Sequence, residues 1–339
     1  MQATHFPLIL TPLLFLAAMM GLAEGDKGAD PAPGILFDTD MGNDVDDALA
    51  LGLLLEAEKR GAARALLVVS SNPNPWAVPG IRAILRYYGR EEVPVGACMA
   101  ETGLAHGGFT EAMAGTSGLQ PGGAPGAVAL MRKVLHEQGD RSVRIVPTGF
   151  STNLAALLAS APNHGGDGIP LSGRALVEKK VEFLSIMAGN YHDPNHAEFN
   201  VAQNVPAFKQ VIEEWPTPVY MSGFEIGLQV HSRWEALKQA LKPENPIRVG
   251  YEFYFRKELK EEKWDRPSWD QTAMLQAIYP ESSHFDLSDP VRIEVSPEGK
   301  TTLKSDPPKD LPARRFLRFS AERTAEKVGV VLDDYYREP

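Results

Sequence analysis

The chain has 339 residues, 43% hydrophobic and 23% charged, which suits one large domain or two with a sizeable core and excludes intrinsic disorder. A net charge of −10 and a pI near 5.4 exclude a nucleic-acid phosphate backbone as the natural partner. The lone Cys98 permits no internal disulfide and reads as a small buried hydrophobe.

Residues 6–22 (FPLILTPLLFLAAMMGL) form an apolar run followed by small residues. That is the pattern of a secretory signal peptide, residues 1–23, with a polar linker at 24–33, although no Lys or Arg precedes the run. The other reading is an uncleaved anchor, for which the run is about the minimum spanning length. The expected location is secreted or periplasmic, with no membrane contact after cleavage. Residues 34–339 are expected to form a single α/β domain.

Gly34-Ile35-Leu36-Phe37 reads as a strand and residues 48–58 (ALALGLLLEAE) as a helix. Between them lie five carboxylates, Asp38, Asp40, Asp44, Asp46 and Asp47. A strand that empties into such a loop places them at its carboxyl end, the edge where open α/β sheets bind ligands. Five like charges there raise one another's pKa and destabilise the fold unless a counter-charge is present, and a hard cation with oxygen ligands supplies one. Helix-dipole capping accounts for Asp46 and Asp47 only. An EF-hand counted from Asp38 fails, because Asn43 and Leu49 stand where Gly and Glu are required.

Residues 65–70 (ALLVVS) read as a buried strand that ends in the Asn72 turn. A helix at 78–88, a short strand at 93–96 and a Gly-rich loop at 103–126 follow. Helix 127–138 leads to strand 143–146, then to the turn Pro147-Thr148-Gly149, helix 154–160 and a loop at 161–174. Strand 181–187, helix 205–214, strand 218–222 and helices at 233–241 and 268–279 continue the pattern, and an alternating stretch at 291–304 reads as a hairpin before a charged tail that offers a last helix. Apolar strands alternating with helices imply a doubly wound, mostly parallel sheet covered on both faces.

The stretch DTDMGNDVDDALAL resembles the N-terminal signature of nucleoside hydrolases of inosine-uridine type, Asp-x-Asp-x-Gly-x-Asp-Asp, with two extra residues between the Gly and the final Asp pair. Further motifs follow in the family's order as far as about residue 280. The resemblance implies calcium held by Asp40, Asp47, the Thr148 carbonyl and Asp270, an oxygen set suited to that ion. It also implies that Asp40 takes a proton from the attacking water. Asp46 and Asn72 match positions that bind the ribose 2′-hydroxyl. Ala197-Glu198-Phe199-Asn200 matches the family's Ala-Glu-Phe-Asn, whose Glu and Asn hold the 5′- and 3′-hydroxyls, and Asn195 stands for an upstream Asn. His106-Gly107 is similar to a His-Gly turn near the base.

Many relatives carry His-Asp in the late motif, the His protonating the leaving base. Here the pair is Trp269-Asp270, as in a purine-preferring branch that stacks the base on aromatic rings. The implied activity is calcium-dependent hydrolysis of ribonucleosides to ribose and base, with a purine preference. The implied assembly is a homodimer or homotetramer, and the partner is a small nucleoside. Two other classes compete. A haloacid dehalogenase-type phosphatase also opens strand–Asp-x-Asp but continues differently. A binder that kept the fold and lost turnover, or a hydrolase of another N-riboside, would explain the altered motifs.

Overall fold

A computed structural model of the chain describes residues 32–99, 107–282 and 284–337. The signal-peptide expectation and the His106 position lie outside the described residues. Residues 32–339 cluster as one compact unit.

Six strands set the frame: β1 (Gly34–Thr39), β2 (Arg64–Ser70), β3 (Val95–Ala97), β4 (Val143–Pro147), β5 (Val181–Met187) and β6 (Val219–Ser222). They pair in parallel in the order β3-β2-β1-β4-β5-β6. The strand Arg314–Arg318 extends the sheet parallel to β6, and Asp286–Leu287 closes it antiparallel, giving eight strands. The fold is thus the doubly wound, mixed α/β sheet that the alternation of apolar strands and helices implies. Strand order reverses between β1 and β4, and at such a switch the loops leaving the two strands part to form a crevice.

Side chains of β1 alternate between two cores. Ile35 and Phe37 belong to one cluster with Val68 and Leu51, and Leu36 belongs to the other with Leu67, Val69 and Leu184. Both faces are therefore covered, as continuous apolar strands require. Helix Asp46–Lys59 is buried from Asp46 to Ala57, consistent with its apolar residues on every side. Helix Trp269–Ile278 is equally buried from Asp270 to Ile278, and the two pack together.

Several elements differ from expectation. The Gly-rich stretch holds a helix, Phe109–Gly115, whose Phe109 and Met113 are buried against the core. Helix Gly173–Lys180, capped by the Ser172 hydroxyl, begins inside the segment read as loop. Helix Pro246–Phe253 runs on into a wider turn, Tyr254–Leu259. The charged tail forms the expected last helix, Ala325–Tyr335, and also an unexpected sheet strand, Arg314–Arg318. The hairpin, by contrast, forms where expected, between Arg292–Val295 and Thr301–Lys304. No helix among the described residues is long and apolar enough to cross a membrane.

Candidate active site

Two helices start at the switch point, and their first turns carry the acids. Asp46 and Asp47 open helix Asp46–Lys59, and Asp270 is the second residue of helix Trp269–Ile278. Negative charge is favoured at both positions by the helix dipoles. The Asp46 carboxylate also accepts the Asp270 backbone N–H at 3.2 Å, so one helix caps the other. Asp40 arrives from the end of β1, and its loop is shaped by two glycines. Gly42 sits at φ +120°, where a Cβ would lie 2.2 Å from Asn74 Nδ2. A Cβ on Gly149 would stand 2.6 Å from the Asp40 nitrogen, so only glycine lets the turn after β4 approach Asp40.

These residues line one cleft of about 190 Å³ together with Asn43, Asp44, Thr148, Met187, Glu198, Phe199, Asn200, Phe224 and Trp269. A larger cleft of about 390 Å³ is lined by Lys209, Glu213, Arg292, Glu294 and Arg314. Its charges are mixed and Arg292 pairs with Glu294, so it offers no comparable concentration of buried acids.

Burial raises the pKa of Asp40, Asp46, Asp47 and Asp270 well above the usual carboxylate range, and the neighbouring acids push in the same direction. Asp40 Oδ2 and Thr148 Oγ1 are buried without a protein partner. Asp47 accepts the Thr39 hydroxyl and shares a hydrogen bond with Asp270. Buried carboxylates that repel one another, with one Asp40 oxygen left without a donor, match in kind what a hard cation takes up. Among the described residues, no three acidic, His or Cys side chains yet converge as a ligand set. The donor chemistry thus fits such an ion, while the side chains are turned partly toward one another.

Across the cleft, Glu198 caps helix Phe199–Gln203, its oxygens accepting the N–H groups of Asn200 at 2.9 Å, Val201 at 3.2 Å and Gly189 at 3.0 Å. Burial lifts its pKa to about 7 despite these donors. The Asn200 amide donates to the Thr148 carbonyl at 2.8 Å, which ties the Ala-Glu-Phe-Asn motif to the Pro-Thr-Gly turn. A carbonyl has two lone pairs, so this bond leaves one for a cation.

Not every expected residue faces the cleft. Asn72 is buried with its amide used locally: Nδ2 donates to the Asp40 carbonyl at 3.1 Å and Oδ1 accepts the Asn74 N–H at 3.1 Å. It braces the loop and is not part of the cleft wall. Asn195 is exposed on the loop after β5, its N–H bonded to Asp193. The buried Asn of that segment is Asn190, whose Oδ1 accepts the N–H groups of His192 and Asp193. Its signal was its place directly after Ala188-Gly189 at the strand end. Asn43, Met187, Phe199 and Phe224 were not singled out. Phe224 carried no motif, and only the fold brings it beside Trp269, at 5.6 Å between ring centroids and 25° between planes. Trp269 is also fixed by its Nε1–H, which donates to the Phe224 carbonyl at 3.0 Å.

The family model described as inosine-uridine preferring nucleoside hydrolase matches residues 35–328. The pyrimidine-specific ribonucleoside hydrolase RihA of Citrobacter koseri is 28% identical over 246 residues, 68% of this chain and 73% of that protein. Two solved structures share the fold. The plant nucleoside hydrolase PpNRh1 has a TM-score of 0.68 and 19% identity, covering 91% of this chain and 100% of its own. The purine-preferring ribonucleoside hydrolase of Gardnerella vaginalis has a TM-score of 0.65 and 18% identity, covering 89% and 97%. With the doubly wound sheet and the acidic cleft at its switch point, this match makes the chain a member of the inosine-uridine preferring nucleoside hydrolase family, an N-glycosidase.

Proposed function

We propose that this hydrolase cleaves the N-glycosidic bond of ribonucleosides with calcium as its cofactor and with purine nucleosides preferred. The observation that carries the reading is the buried set Asp40, Asp46, Asp47 and Asp270, with an unpartnered oxygen on Asp40, facing Glu198, Asn200 and an aromatic wall across one cleft. Asp40, Asp47, Asp270 and the Thr148 carbonyl would hold the ion. Bound calcium would supply a Lewis acid that gathers the sugar hydroxyls and the attacking water.

The remaining work falls to side chains. Asp46 accepts from the 2′-hydroxyl, and Glu198 and Asn200 hold the 5′- and 3′-hydroxyls. Three fixed contacts orient an uncharged sugar in a way that burial alone does not. Asp40 takes the proton of water as the oxygen bonds to the anomeric carbon, the bond to the base nitrogen breaks, and the base leaves with that electron pair and takes a proton from solvent. No His lines the cleft among the described residues, so the leaving base is steadied by Phe199, Phe224 and Trp269. Stacking of this kind contributes roughly 1–3 kcal/mol per base and favours the larger purine.

The test is release of ribose from inosine, adenosine, guanosine, uridine and cytidine, with calcium and after chelation. Calcium-dependent release, fastest from the purine nucleosides, is expected. Release untouched by chelation would overturn the cofactor. The pyrimidine-specific name of the Citrobacter koseri relative favours a second reading, which faster release from uridine and cytidine would select.

A further inference from the structure

Asp44 lies in the segment by which the first motif exceeds the family signature, and it is a cleft carboxylate in a direct ion pair. Arg266 Nε donates to Asp44 Oδ1 at 3.0 Å and Nη2 donates to Oδ2, a two-point fork between residues 222 positions apart. Both side chains are shielded, at 19% and 17% exposure, so the pair escapes much of the screening that weakens surface ion pairs. The same guanidinium lies 5.3 Å from the Trp269 ring centroid and 5.5 Å from that of Tyr254. Behind it, Arg266–Pro267 is held as a short strand against His231–Ser232. The acidic loop is tied a second time where the Gly107 N–H donates to the Gly42 carbonyl at 2.9 Å.

We propose that Arg266 is a positioning residue for recognition of the nucleobase: clamped by Asp44, its guanidinium sets the plane of Trp269 and draws residues 43–45 against that ring, fixing the width of the base end of the cleft. The inference rests on the hydrolase reading above and adds the device that selects the base. A planar, forked cation meets both demands, bidentate pairing and ring stacking, and an ammonium meets neither. Asn43, Asp44 and Trp269 all line the cleft, and Arg266 joins Asp44 to Trp269, so a slack clamp loosens the base end and leaves the ribose end, built by Asp46, Glu198 and Asn200, in place.

Calorimetry on the calcium-loaded full chain separates the two ends, using an imino-ribitol with and without an aryl group at its anomeric carbon. Arg266→Lys, Arg266→Gln and Asp44→Asn are compared with wild type, alongside kcat and KM for inosine and uridine. Affinity for the aryl ligand is expected to fall about tenfold in each variant while the base-free ligand stays within about twofold. KM should rise more than kcat falls, and the inosine-to-uridine ratio should change. Equal loss for both ligands, or loss for neither, in a variant whose thermal unfolding shows it folded would overturn the proposal. Asp44→Asn keeps the shape of the side chain and carries the test if the Arg266 variants do not fold. Wild type that binds both ligands but hydrolyses no nucleoside would defeat the hydrolase reading while the ligand pair still reports on Arg266. Wild type that binds neither would defeat both.

Discussion

Two groups of buried charge are treated in opposite ways. The guanidinium of Arg132, with no exposed surface, donates to Asp167 at 2.5 Å, Ser160 Oγ at 2.9 Å and the Leu171 carbonyl at 3.0 Å. It fastens the loop after helix Thr152–Ala159, and each of its three nitrogens donates to a partner in the chain. The acids at the switch point are equally buried, yet Asp40 keeps an oxygen without a partner and its neighbours repel it. A buried charge saturated by the chain stabilises structure. One left short of partners costs stability and marks a place kept for something else.

The sharpest way to break that contrast is Asp40→Asn, which removes the proton acceptor while keeping the shape. Its kcat for ribose release is expected to fall roughly 10²–10⁴-fold, with a thermal midpoint in chelator equal to or above wild type because a repelled carboxylate is gone. Turnover within a few-fold of wild type would remove Asp40 from the proton transfer. Arg132→Ala should do the reverse, lowering stability in denaturant by about 3 kcal/mol with kcat per folded molecule unchanged. A loss of kcat there would show that the two regions are coupled.

Glu198 lies between the two cases, since it is buried and well supplied with donors. Burial lifts its pKa from 4.5 to about 7, so the folded chain keeps a proton that the unfolded chain gives up. The stability linked to that proton is full below pH 4.5 and is lost as pH climbs through about 7. Glu198→Gln does not titrate. Over that window it is expected to lose about 1–3 kcal/mol less than wild type in denaturant titrations, and parallel pH profiles would refute the assignment.

The central sheet was legible because its strands are short apolar runs with turn signals between them, and burial on both faces enforces that pattern. The penultimate strand Arg314–Arg318 was not legible. Three of the five residues in RRFLR are arginines, and the buried one is satisfied by carbonyl oxygens: Arg314 donates to Ile212 and Trp215 near the end of helix Val205–Glu214. Helix Phe109–Gly115 was hidden because glycine outweighed two buried anchors, Phe109 and Met113. In the site, Asp46, Asp47, Glu198 and Asn200 were readable because their motif fixes their spacing. Asn72 matched a motif position yet braces its own loop, a distinction that depends on where a side chain turns and not on spacing. Phe224 reaches the cleft, and Arg266 reaches its wall residues Asp44 and Trp269, only through packing of distant segments, which no local pattern encodes.

The placement of Arg314–Arg318 beside β6 also bears on how the chain is made. During synthesis β6 emerges long before its outer neighbour, so its outer edge presents unpaired N–H and C=O groups until residues 314–318 have also left the ribosome. An open edge of that kind is a template for intermolecular pairing. Residues 314–318 and the antiparallel Asp286–Leu287 outside them therefore act as a seal. Nascent or C-terminally clipped molecules lacking the seal are the species from which aggregation would begin, however intact their catalytic edge.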